Sequence, residues 1–434
     1  MRIRASAAAR ATGGTLHGAD VDLDGASFDS RTLRPGELFV ALVAERDGHE
    51  FVDAAAARGA GAALVQRPTT APVPVIEVGD TAAALLALAA WARDGLAATV
   101  VGITGSVGKT STKDLVRAAV GAGRRVAANE RSFNNEQGLP VTVLGAPDDT
   151  EVLVLEMGMR ARGEITQLCA VGRPDIGVVT AVAASHTETL GSLDEVARAK
   201  AELVDALPGS GAAVLNHDDE RVLAMRDRTT ARVLTYGAAR GADVRIEGLV
   251  LDALARPRFD LRTPWGSATV ELAASGAHMA SNAAAAVAVA GLVGVDVAAA
   301  AAALGAAPLS AMRMQIVPAA SGGVVINDAY NANPTSMTAA LRSLAAVAAE
   351  RRVAVLGAMA ELDDPEAAHR QVAATARELG IELVAVGTDR YGSPPVDDAA
   401  VGAAVGPVVA GVAVLVKASR AVGLERLVAD LAAS

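Results

Sequence analysis

Residues 100–112 limit the fold most strongly, because they join a strand signal to a glycine-rich turn and the start of a helix. They read Val100-Val-Gly-Ile-Thr-Gly-Ser-Val-Gly-Lys-Thr-Ser-Thr112. Such a turn directs consecutive backbone N–H groups at phosphate oxygens, and the helix N-terminus adds partial positive charge. Lys109 would reach the β- and γ-phosphates, and the Thr110 hydroxyl would bind Mg²⁺. The segment therefore predicts an ATP site.

The phosphate loop departs from the general G-x-x-x-x-G-K-[ST] pattern at one position. Ile103 stands where that pattern has its first glycine, and Gly102 and Gly105 flank the position instead. A chance Gly-Lys-Thr in an ordinary loop is the alternative interpretation, but the strand–loop–helix context disfavours it. The residues expected to contact phosphate are Gly105, Ser106, Val107, Gly108, Lys109, Thr110 and Ser111.

Short β-branched runs alternate with longer Ala- and Leu-rich stretches along the chain, which predicts an α/β fold class. At a prior of about 150 residues per domain, 434 residues suggest three domains. We expect a small α/β N-terminal substrate domain at 1–95 and a central parallel-sheet P-loop ATPase domain at 96–311. A Rossmann-like α/β C-terminal domain would occupy 312–434. The active site would then lie between domains, at the carboxyl ends of strands.

The strand predictions are near-continuous apolar runs, which is typical of parallel sheets covered on both faces. They are Leu38–Val43, Ala62–Gln66, Val73–Val78, Thr99–Ile103, Glu151–Met157, Asp175–Ala181, Gly211–Asn216, Arg232–Tyr236, Gly323–Ile326, Arg352–Leu356, Leu383–Val386 and Val412–Val416. The helix predictions are Asp80–Arg93, Leu193–Ala206, Ala280–Leu292, Thr335–Glu350, Pro365–Leu379 and Ala421–Leu431. Pro257–Leu272 is less regular and reads as a small antiparallel insertion.

Charge and composition exclude several classes of protein. With 39 basic and 49 acidic residues the net charge is −10, which disfavours nucleic-acid binding. The single cysteine, Cys169, rules out an internal disulfide and fits a reducing compartment. The most apolar stretch, Val401–Val416, falls short of about 18 residues and contains glycines and a proline. We therefore expect a cytoplasmic enzyme without stable membrane insertion.

Polar residues at two strand ends extend the predicted nucleotide site. Glu156 ends the apolar run 152–155, and His186 follows the run that ends near Val182. A carboxylate and a neutral imidazole there would complete a Mg²⁺ shell beside the γ-phosphate. Lys200 follows on a helix fourteen residues after His186. Taken alone, each residue has an ordinary explanation: a helix cap or surface ion pair for Glu156, and a structural role for His186.

With the phosphate loop in place, the chain resembles the Mur ligases, the ATP-dependent amide-forming enzymes of peptidoglycan precursor synthesis. Their loop is similar to Thr104-Gly-Ser-Val-Gly-Lys-Thr110, and Ser132-Phe-Asn-Asn-Glu-Gln-Gly-Leu-Pro140 resembles their asparagine motif. The resemblance implies that Glu156 and His186 bind Mg²⁺. It also implies that Lys200, in Ala199-Lys-Ala-Glu202, is carbamylated, which turns a cation into an anion and a candidate metal ligand.

The same resemblance implies further ATP contacts. His278 and Asn282 match the segment that contacts adenine, with Asn282 the better candidate because its amide both donates and accepts. Arg313 matches an arginine that reaches the nucleotide phosphates from the third domain. The resemblance assigns the remaining ATP contacts to Asn134, Asn135 and Asp328.

In the N-terminal unit, Asp29-Ser-Arg31, residues 34–42 and Asp47-Gly-His49 resemble the domain that holds the UDP-sugar. This implies Ser30 and Arg31 as substrate contacts. Asp328-Ala-Tyr-Asn-Ala-Asn-Pro334 and Lys417-Ala-Ser-Arg420 resemble the dipeptide-adding branch. They imply substrate contacts at Asn331, Asn333, Lys417, Ser419 and Arg420. Asn327, Gly357-Ala-Met-Ala-Glu-Leu-Asp363 and Ala418 depart from the usual motifs of this branch.

The implied reaction joins D-alanyl-D-alanine to UDP-N-acetylmuramoyl-tripeptide through an acyl phosphate, with ATP and Mg²⁺ as cofactors and the enzyme as a monomer. Two alternatives stay open: a Mur ligase that adds the third stem-peptide residue, and a catalytically inactive nucleotide-binding relative. Folylpolyglutamate synthase is more distant, because it lacks a counterpart of the Asp29-Ser-Arg31 domain. A dehydrogenase is disfavoured, since no G-x-G-x-x-G follows a predicted strand.

Overall fold

Helices cover parallel sheets in this computed structural model, which describes residues 1–130, 133–184 and 187–433. The first part contains strands β1 (Arg2–Arg4), β2 (Thr15–His17), β3 (Asp22–Asp24), β4 (Ala26–Ser27), β5 (Leu38–Val40), β6 (Ala62–Val65) and β7 (Val75–Glu77). Its helices are α1 (Ala5–Thr12), α2 (Val52–Ala57) and α3 (Thr81–Asp94), with a 3₁₀ turn at Gly48–Phe51. A sheet of order β2-β7-β6-β5-β4 is parallel except at β2, and β1 pairs with β3.

The central part is built on one larger sheet. Its strands are β8 (Thr99–Thr104), β9 (Val126–Ala128), β10 (Val152–Glu156), β11 (Ile176–Val179), β12 (Ala212–Asn216), β13 (Arg232–Gly237), β14 (Val244–Leu251), β15 (Pro257–Thr263) and β16 (Gly266–Glu271). Its helices are α4 (Lys109–Gly121), α5 (Gly138–Gly145), α6 (Glu164–Gly172), α7 (Thr187–Leu190), α8 (Leu193–Asp205), α9 (Glu220–Leu223), α10 (His278–Leu292) and α11 (Val297–Gly305), with a 3₁₀ turn at Ala224–Arg228.

The order of the central sheet is β16-β15-β14-β13-β12-β11-β8-β10-β9, parallel from β9 to β14 and antiparallel beyond. One apolar core joins α4, α10 and α11 to one face, and a second joins α5, α6 and α8 to the other. From β8 the chain runs outward to β9 and returns to β10, then crosses to β11 on the other side. The carboxyl end of β8 therefore lies where the strand order reverses, which is where α/β sheets bind ligands.

The last part repeats the α/β arrangement on a smaller scale. Its strands are β17 (Gln315–Pro318), β18 (Val324–Asn327), β19 (Arg351–Leu356), β20 (Glu382–Ala385) and β21 (Val412–Lys417). Its helices are α12 (Pro334–Ala346), α13 (Pro365–Glu378), α14 (Asp398–Val405) and α15 (Arg426–Ala433), with a 3₁₀ turn at Arg420–Val422. The sheet order is β17-β18-β21-β19-β20, with only β17 antiparallel.

The α/β prediction is confirmed, and the predicted strands and helices correspond to observed ones with shifted ends. Two helix predictions are too long. Gly423, at φ 70°, ends the 3₁₀ turn after β21, so α15 begins only at Arg426. The helix predicted to reach Glu350 ends at Ala346, and Ala348 instead donates its N–H to the Ala253 carbonyl at 2.8 Å.

The predicted antiparallel insertion at Pro257–Leu272 is the hairpin of β15 and β16, which extends the edge of the central sheet. The sequence interpretation missed other elements, among them β9, β14, β17, α5, α6, α11 and α14. The domain boundaries at 95/96 and 311/312 remain a proposal, because α3 shares an apolar core with α5 and α6 across the first of them. In the described ranges, no helix is long and apolar enough to cross a membrane.

Candidate active site

The phosphate loop packs closely against the end of β11. The Thr180 hydroxyl donates a hydrogen bond to the Val107 carbonyl at 2.6 Å, and the Ser106 hydroxyl donates to the Ala183 carbonyl at 2.9 Å. A Cβ at Gly105 would lie 1.9 Å from the Thr180 hydroxyl oxygen, and Gly105 has φ 150°. Glycine is therefore required there, since any side chain would displace Thr180 and open the loop.

Two lysines near this loop, Lys109 and Lys200, have lowered pKa values. Lys109 begins α4, and its ammonium donates to the Gly105 carbonyl at 2.6 Å. Burial lowers the pKa of Lys109, and the carboxylate of Glu156 opposes that shift. Lys200, on α8, is almost fully buried, and burial together with nearby Lys109 lowers its pKa well below the usual range. The buried Lys200 amine is therefore disfavoured as a cation.

Glu156 ends β10 and is 1% exposed. Its backbone N–H donates to the Asn129 side-chain oxygen at 2.7 Å, and the Asn134 amide donates to its Oε1 at 2.7 Å. Its Oε2 has no hydrogen-bond partner in the described part of the chain. A buried carboxylate oxygen without a partner is costly unless a cation or donor joins it, so the site suits a metal ion.

The third part of the chain reaches the loop through Arg313. Its guanidinium donates to the Thr110 hydroxyl at 3.1 Å and lies 4.2 Å over the Tyr330 ring centroid. On α10, Asn282 is buried, and a Cβ at Gly108 would lie 2.8 Å from its Oδ1. The fold therefore brings Thr110, Arg313 and Asn282 to the phosphate loop, although they are far apart in sequence.

Other predicted ATP residues have structural partners. Ser111 is buried in the first turn of α4. The exposed Asn135 accepts a hydrogen bond from the Gly138 N–H at 2.9 Å, at the start of α5. Asp328 is buried, follows β18, and accepts from the Met314 N–H at 3.1 Å. Their contacts with ATP stay predictions.

The predicted acceptor residues gather at the carboxyl ends of β18 and β21. The Lys417 ammonium is buried, lies 2.5 Å from the Asp328 carboxylate and donates to the Asn331 carbonyl at 2.8 Å. Asn333 caps α12 by accepting from the Ser336 N–H at 2.9 Å. The Ser419 hydroxyl accepts from the Ala360 N–H at 2.9 Å. These contacts shape the edge of the third sheet.

Three of the predicted substrate residues are exposed: Asn331 and the two arginines, Arg31 and Arg420. Arg420 pairs with Glu425 at 2.5 Å on the surface. In the first part, the Arg31 guanidinium is 85% exposed and pairs with Asp29 at 2.8 Å, beside the half-buried Ser30. An exposed guanidinium held by one carboxylate keeps donors for an incoming anion.

His186 lies outside the described residues, as does Ser132 of the asparagine motif. Among the residues that the structure describes, no group of three or more His, Cys, Asp or Glu side chains is placed to hold a metal ion. Two oxygen atoms near the loop could bind a metal ion: the unpartnered Oε2 of Glu156 and the Thr110 hydroxyl.

Comparison with known proteins agrees with this geometry. Residues 103–290 match the model of the Mur ligase middle domain, and residues 312–433 match that of the Mur ligase glutamate ligase domain. The chain is 44% identical over 394 residues to UDP-N-acetylmuramoyl-tripeptide–D-alanyl-D-alanine ligase of Mycobacterium bovis, covering 84% of this chain and 77% of the relative. This chain belongs to the Mur ligase family.

Solved structures extend the match to the whole Mur ligase fold. A crystal structure of MurF from Acinetobacter baumannii has a TM-score of 0.89 and 28% identity, and the match covers 99% of both chains. MurF from Thermotoga maritima in complex with ADP has a TM-score of 0.80 and 26% identity, covering 93% of this chain and 96% of that one. The predicted three-domain α/β architecture of a Mur ligase is confirmed.

Sequence reasoning missed several residues that build the site of this Mur ligase. Thr180 and Asn129 each directly follow a strand of the structure. The strand-end argument did not find them, because Thr180 lies inside the predicted strand Asp175–Ala181 and no strand was predicted before Asn129. Lys113 and Asp114 are buried one turn after Lys109 on α4, although charged residues usually lie at the surface. Glu361, at φ 60°, lies near enough to Lys109 to oppose the fall in its pKa; the segment 357–363 that contains it was noted only for its departure from the usual motif.

Proposed function

We propose that this Mur ligase joins D-alanyl-D-alanine to UDP-N-acetylmuramoyl-tripeptide and releases ADP and phosphate. The observation that carries the proposal is the convergence of four charged residues near the end of β8: Lys109 at the start of α4, Glu156 at the end of β10, Lys200 on α8 and Arg313 in the turn before β17. The substrate pair comes from the names of the relatives and from the motifs at 328–334 and 417–420.

In the first step, the terminal carboxylate of the tripeptide attacks the γ-phosphorus of ATP, and the bond from that phosphorus to ADP breaks. The chain contributes positioning and electrostatics, because charge spreads over the phosphoryl oxygens as this bond breaks. Lys109 would exchange the Gly105 carbonyl for a phosphate oxygen, and Arg313 would exchange the Thr110 hydroxyl for another. Both cations are already held at the loop, so little reorganisation is needed.

In the second step, the uncharged amine of D-alanyl-D-alanine attacks the acyl carbon of the acyl phosphate. Phosphate leaves from the tetrahedral intermediate, the amine loses a proton, and the amide bond remains. The acceptor would approach from the third domain, where Asn331, Asn333, Ser419 and Arg420 lie at neighbouring strand ends. Closure of that domain would bring the amine to the activated acid.

The donor set supports Mg²⁺ as cofactor. Glu156 offers its unpartnered Oε2 and Thr110 its hydroxyl, and oxygen donors of this kind suit a hard cation. His186 is proposed as a further ligand. When bound, Mg²⁺ would neutralise charge on the phosphate oxygens.

We also propose that Lys200 is carbamylated. Its amine nitrogen would attack CO₂ and lose a proton, giving an anionic carbamate in place of a cation. The burial of Lys200 beside Lys109 supports this, since a second ammonium there would repel the first. An anion at the same place would be attracted to Lys109 and to a metal ion.

We further propose that the enzyme works as a monomer in the cytoplasm, where ATP is present, without nucleic acid or stable membrane insertion. The net charge of −10 supports the absence of nucleic acid. Light scattering of the purified chain at micromolar concentration would test the monomer. A mass of twice 43.5 kDa would contradict it.

The experiment that tests the reaction measures ADP release with UDP-N-acetylmuramoyl-tripeptide as the acid. D-Alanyl-D-alanine is compared with free diaminopimelate, lysine and glutamate as acceptors. The proposal expects ADP release that depends on the dipeptide. The assay is repeated with UDP-N-acetylmuramoyl-dipeptide in place of the tripeptide. ADP release that then depends on a single amino acid, and not on D-alanyl-D-alanine, would identify a third-residue ligase.

A further inference from the structure

Arg313 is presented to the phosphate loop by a strained turn. Both of its neighbours have left-handed backbone conformations, with φ 61° at Met312 and φ 49° at Met314. Non-glycine residues adopt this conformation at a cost, and it persists only where surrounding contacts hold it. The position of the Arg313 guanidinium, 3.1 Å from the Thr110 hydroxyl, therefore depends on whatever fixes the two ends of this turn.

One carboxylate fixes each end of the turn. After Arg313, the Met314 N–H donates to Asp328 at 3.1 Å, within the third domain. Before Arg313, the Ser310 N–H donates to Asp114 Oδ2 at 2.7 Å. Asp114 lies on α4, the helix that Lys109 begins, and it is 8% exposed. The nucleotide-binding helix therefore holds the linker to the third domain directly.

Asp114 is itself held on its other side. Its Oδ1 lies 3.2 Å from the Lys113 ammonium, and that ammonium donates to the Asn129 carbonyl at 3.0 Å. The Asn129 side chain accepts from the Glu156 N–H at 2.7 Å. Both Asp114 oxygens are thus engaged in a buried setting, where such bonds are strong and their loss is costly.

We propose that Asp114 is a positioning residue that holds Ser310 so that Arg313 reaches the phosphates of a bound nucleoside triphosphate. The proposal rests on the proposed function, because it assumes that Arg313 contacts those phosphates. Asp114 does not touch the nucleotide; it acts through the backbone of the linker. Its contact with the Lys113–Asn129–Glu156 chain would tie the position of the third domain to the nucleotide-binding side of the central sheet.

The test removes each half of the Asp114–Ser310 hydrogen bond separately. Asp114→Ala removes the acceptor, and Ser310→Pro removes the donor, since proline has no N–H. Ser310→Ala is the matched control, because it deletes the hydroxyl and keeps the N–H. Binding of the non-hydrolysable analogue adenylyl imidodiphosphate with Mg²⁺ is measured by titration calorimetry. We expect Asp114→Ala and Ser310→Pro to weaken binding about tenfold, as for the loss of one charge-assisted hydrogen bond. Ser310→Ala should bind like the wild type.

The same variants are then made in an Arg313→Ala background, which separates positioning from a general structural effect. If Asp114 acts through Arg313, Asp114→Ala should cost no further affinity once Arg313 is absent. A merely structural role would give losses that multiply, and this result would overturn the proposal. Equal binding by Ser310→Pro and Ser310→Ala would overturn it as well.

A variant at a distant carboxylate serves as the control for a general loss of stability. Asp296 caps α11 by accepting from the Ala299 N–H at 2.9 Å, so Asp296→Ala destabilises the fold without touching the linker. It should leave analogue binding unchanged. If Asp114→Ala does not fold, Ser310→Pro decides the question alone. The binding measurement needs no acceptor, so it is independent of the ligation assay. A wild type that binds the analogue but does not ligate the dipeptide would refute the proposed function. The role of Asp114 would still be decided by the binding affinities of the variants.

Discussion

The Asn134 amide donates a hydrogen bond to Glu156 Oε1 at 2.7 Å, which leaves Oε2 as the carboxylate oxygen without a partner among the described residues. The contact restricts the orientation of the carboxylate and leaves Oε2 available for a further ligand. Loss of a residue that orients a metal ligand in this way typically costs about 10–100-fold in metal affinity or activity. The pair therefore gives the asparagine motif a structural task in addition to its predicted ATP contact.

Glu156→Gln should reduce ADP release by about 10²–10³-fold, because it removes a negative charge from the metal site while Asn134 can still donate to the new amide oxygen. Raising Mg²⁺ should restore part of the activity. The measurement is ADP release as a function of Mg²⁺ concentration. Glu220→Gln is the control, because Glu220 is exposed on α9. Activity within threefold of the wild type at every Mg²⁺ concentration would contradict the assignment.

Lys109→Ala should abolish ADP release, with a loss on the order of 10²–10³-fold, because one of the cations that neutralise the phosphoryl oxygens is lost. The fold should survive, since the Lys109 ammonium is bonded only to the Gly105 carbonyl among the described contacts. Steady-state ADP release and thermal unfolding are measured together. Arg117→Ala removes an exposed cation from the same helix and should keep full turnover. A Lys109→Ala enzyme with a third of wild-type turnover would exclude the role.

Lys200→Ala should be inactive and should recover with added short carboxylates such as acetate or propionate, which can occupy the space left by a carbamate. The expected recovery is partial, because a free anion binds without the advantage of a tether. The assay is ADP release with the added carboxylate, with chloride at equal ionic strength as its control. A Lys200→Ala enzyme that no carboxylate rescues, together with full activity of wild type freed of CO₂, would remove carbamylation from the mechanism.

Local patterns predicted the part of the site that depends on local structure. The apolar run before Glu156 placed that residue at a strand end, and residues 100–112 placed Lys109 at a helix start. Parallel strands buried on both faces leave such runs in the sequence, so their carboxyl ends can be found. The approach of Arg313 to the nucleotide site from the third domain was predicted only from the family resemblance, and its hydrogen bond with Thr110 was not predicted.

The supports of the site could not be predicted in this way. Asp114 and Ser310 are separated by 196 positions, and their bond joins a side chain to a backbone N–H that any residue except proline would supply. A short edge strand such as β17 contains too few residues for the alternation of apolar and polar side chains to identify it as a strand. The helix α11 was missed because its alanine-rich face has little contrast between buried and exposed sides, although Asp296 before it is a good N-cap.

Stability should fall in mild acid because of His369, which is fully buried on α13. Its Nε2 accepts from the Met359 N–H at 3.0 Å and its Nδ1 lies 2.5 Å from the Pro365 carbonyl, so both nitrogens are engaged in the neutral form. Burial lowers its pKa below the usual value of about 6.5. The unfolded chain therefore binds the proton more readily than the folded one. The stability that neutral His369 contributes is complete above about pH 6.5 and is lost as the pH falls towards the pKa of the folded state.

Urea unfolding between pH 5 and pH 8 measures this effect. His369→Leu should lower the free energy of unfolding by about 1–3 kcal/mol at pH 7.5, where the buried donor and acceptor lose their partner. That difference from the wild type should shrink below pH 6.5. His17→Gln, at an exposed site, should follow the wild-type curve. A difference between His369→Leu and wild type that is constant across the range would show that His369 does not titrate on unfolding.

Lys417→Met should destabilise the third domain by about 3–5 kcal/mol, because it leaves the buried Asp328 carboxylate without its cation. Adding Asp328→Asn should recover part of the loss, since an amide oxygen can still accept from the Met314 N–H. Glu425→Ala, which breaks the exposed pair with Arg420, should cost less than about 1 kcal/mol. Urea unfolding and the KM for D-alanyl-D-alanine are measured on each variant. Unchanged unfolding with a raised KM would show instead that Lys417 contacts the acceptor, as the family resemblance predicts, and that its ion pair opens when substrate binds.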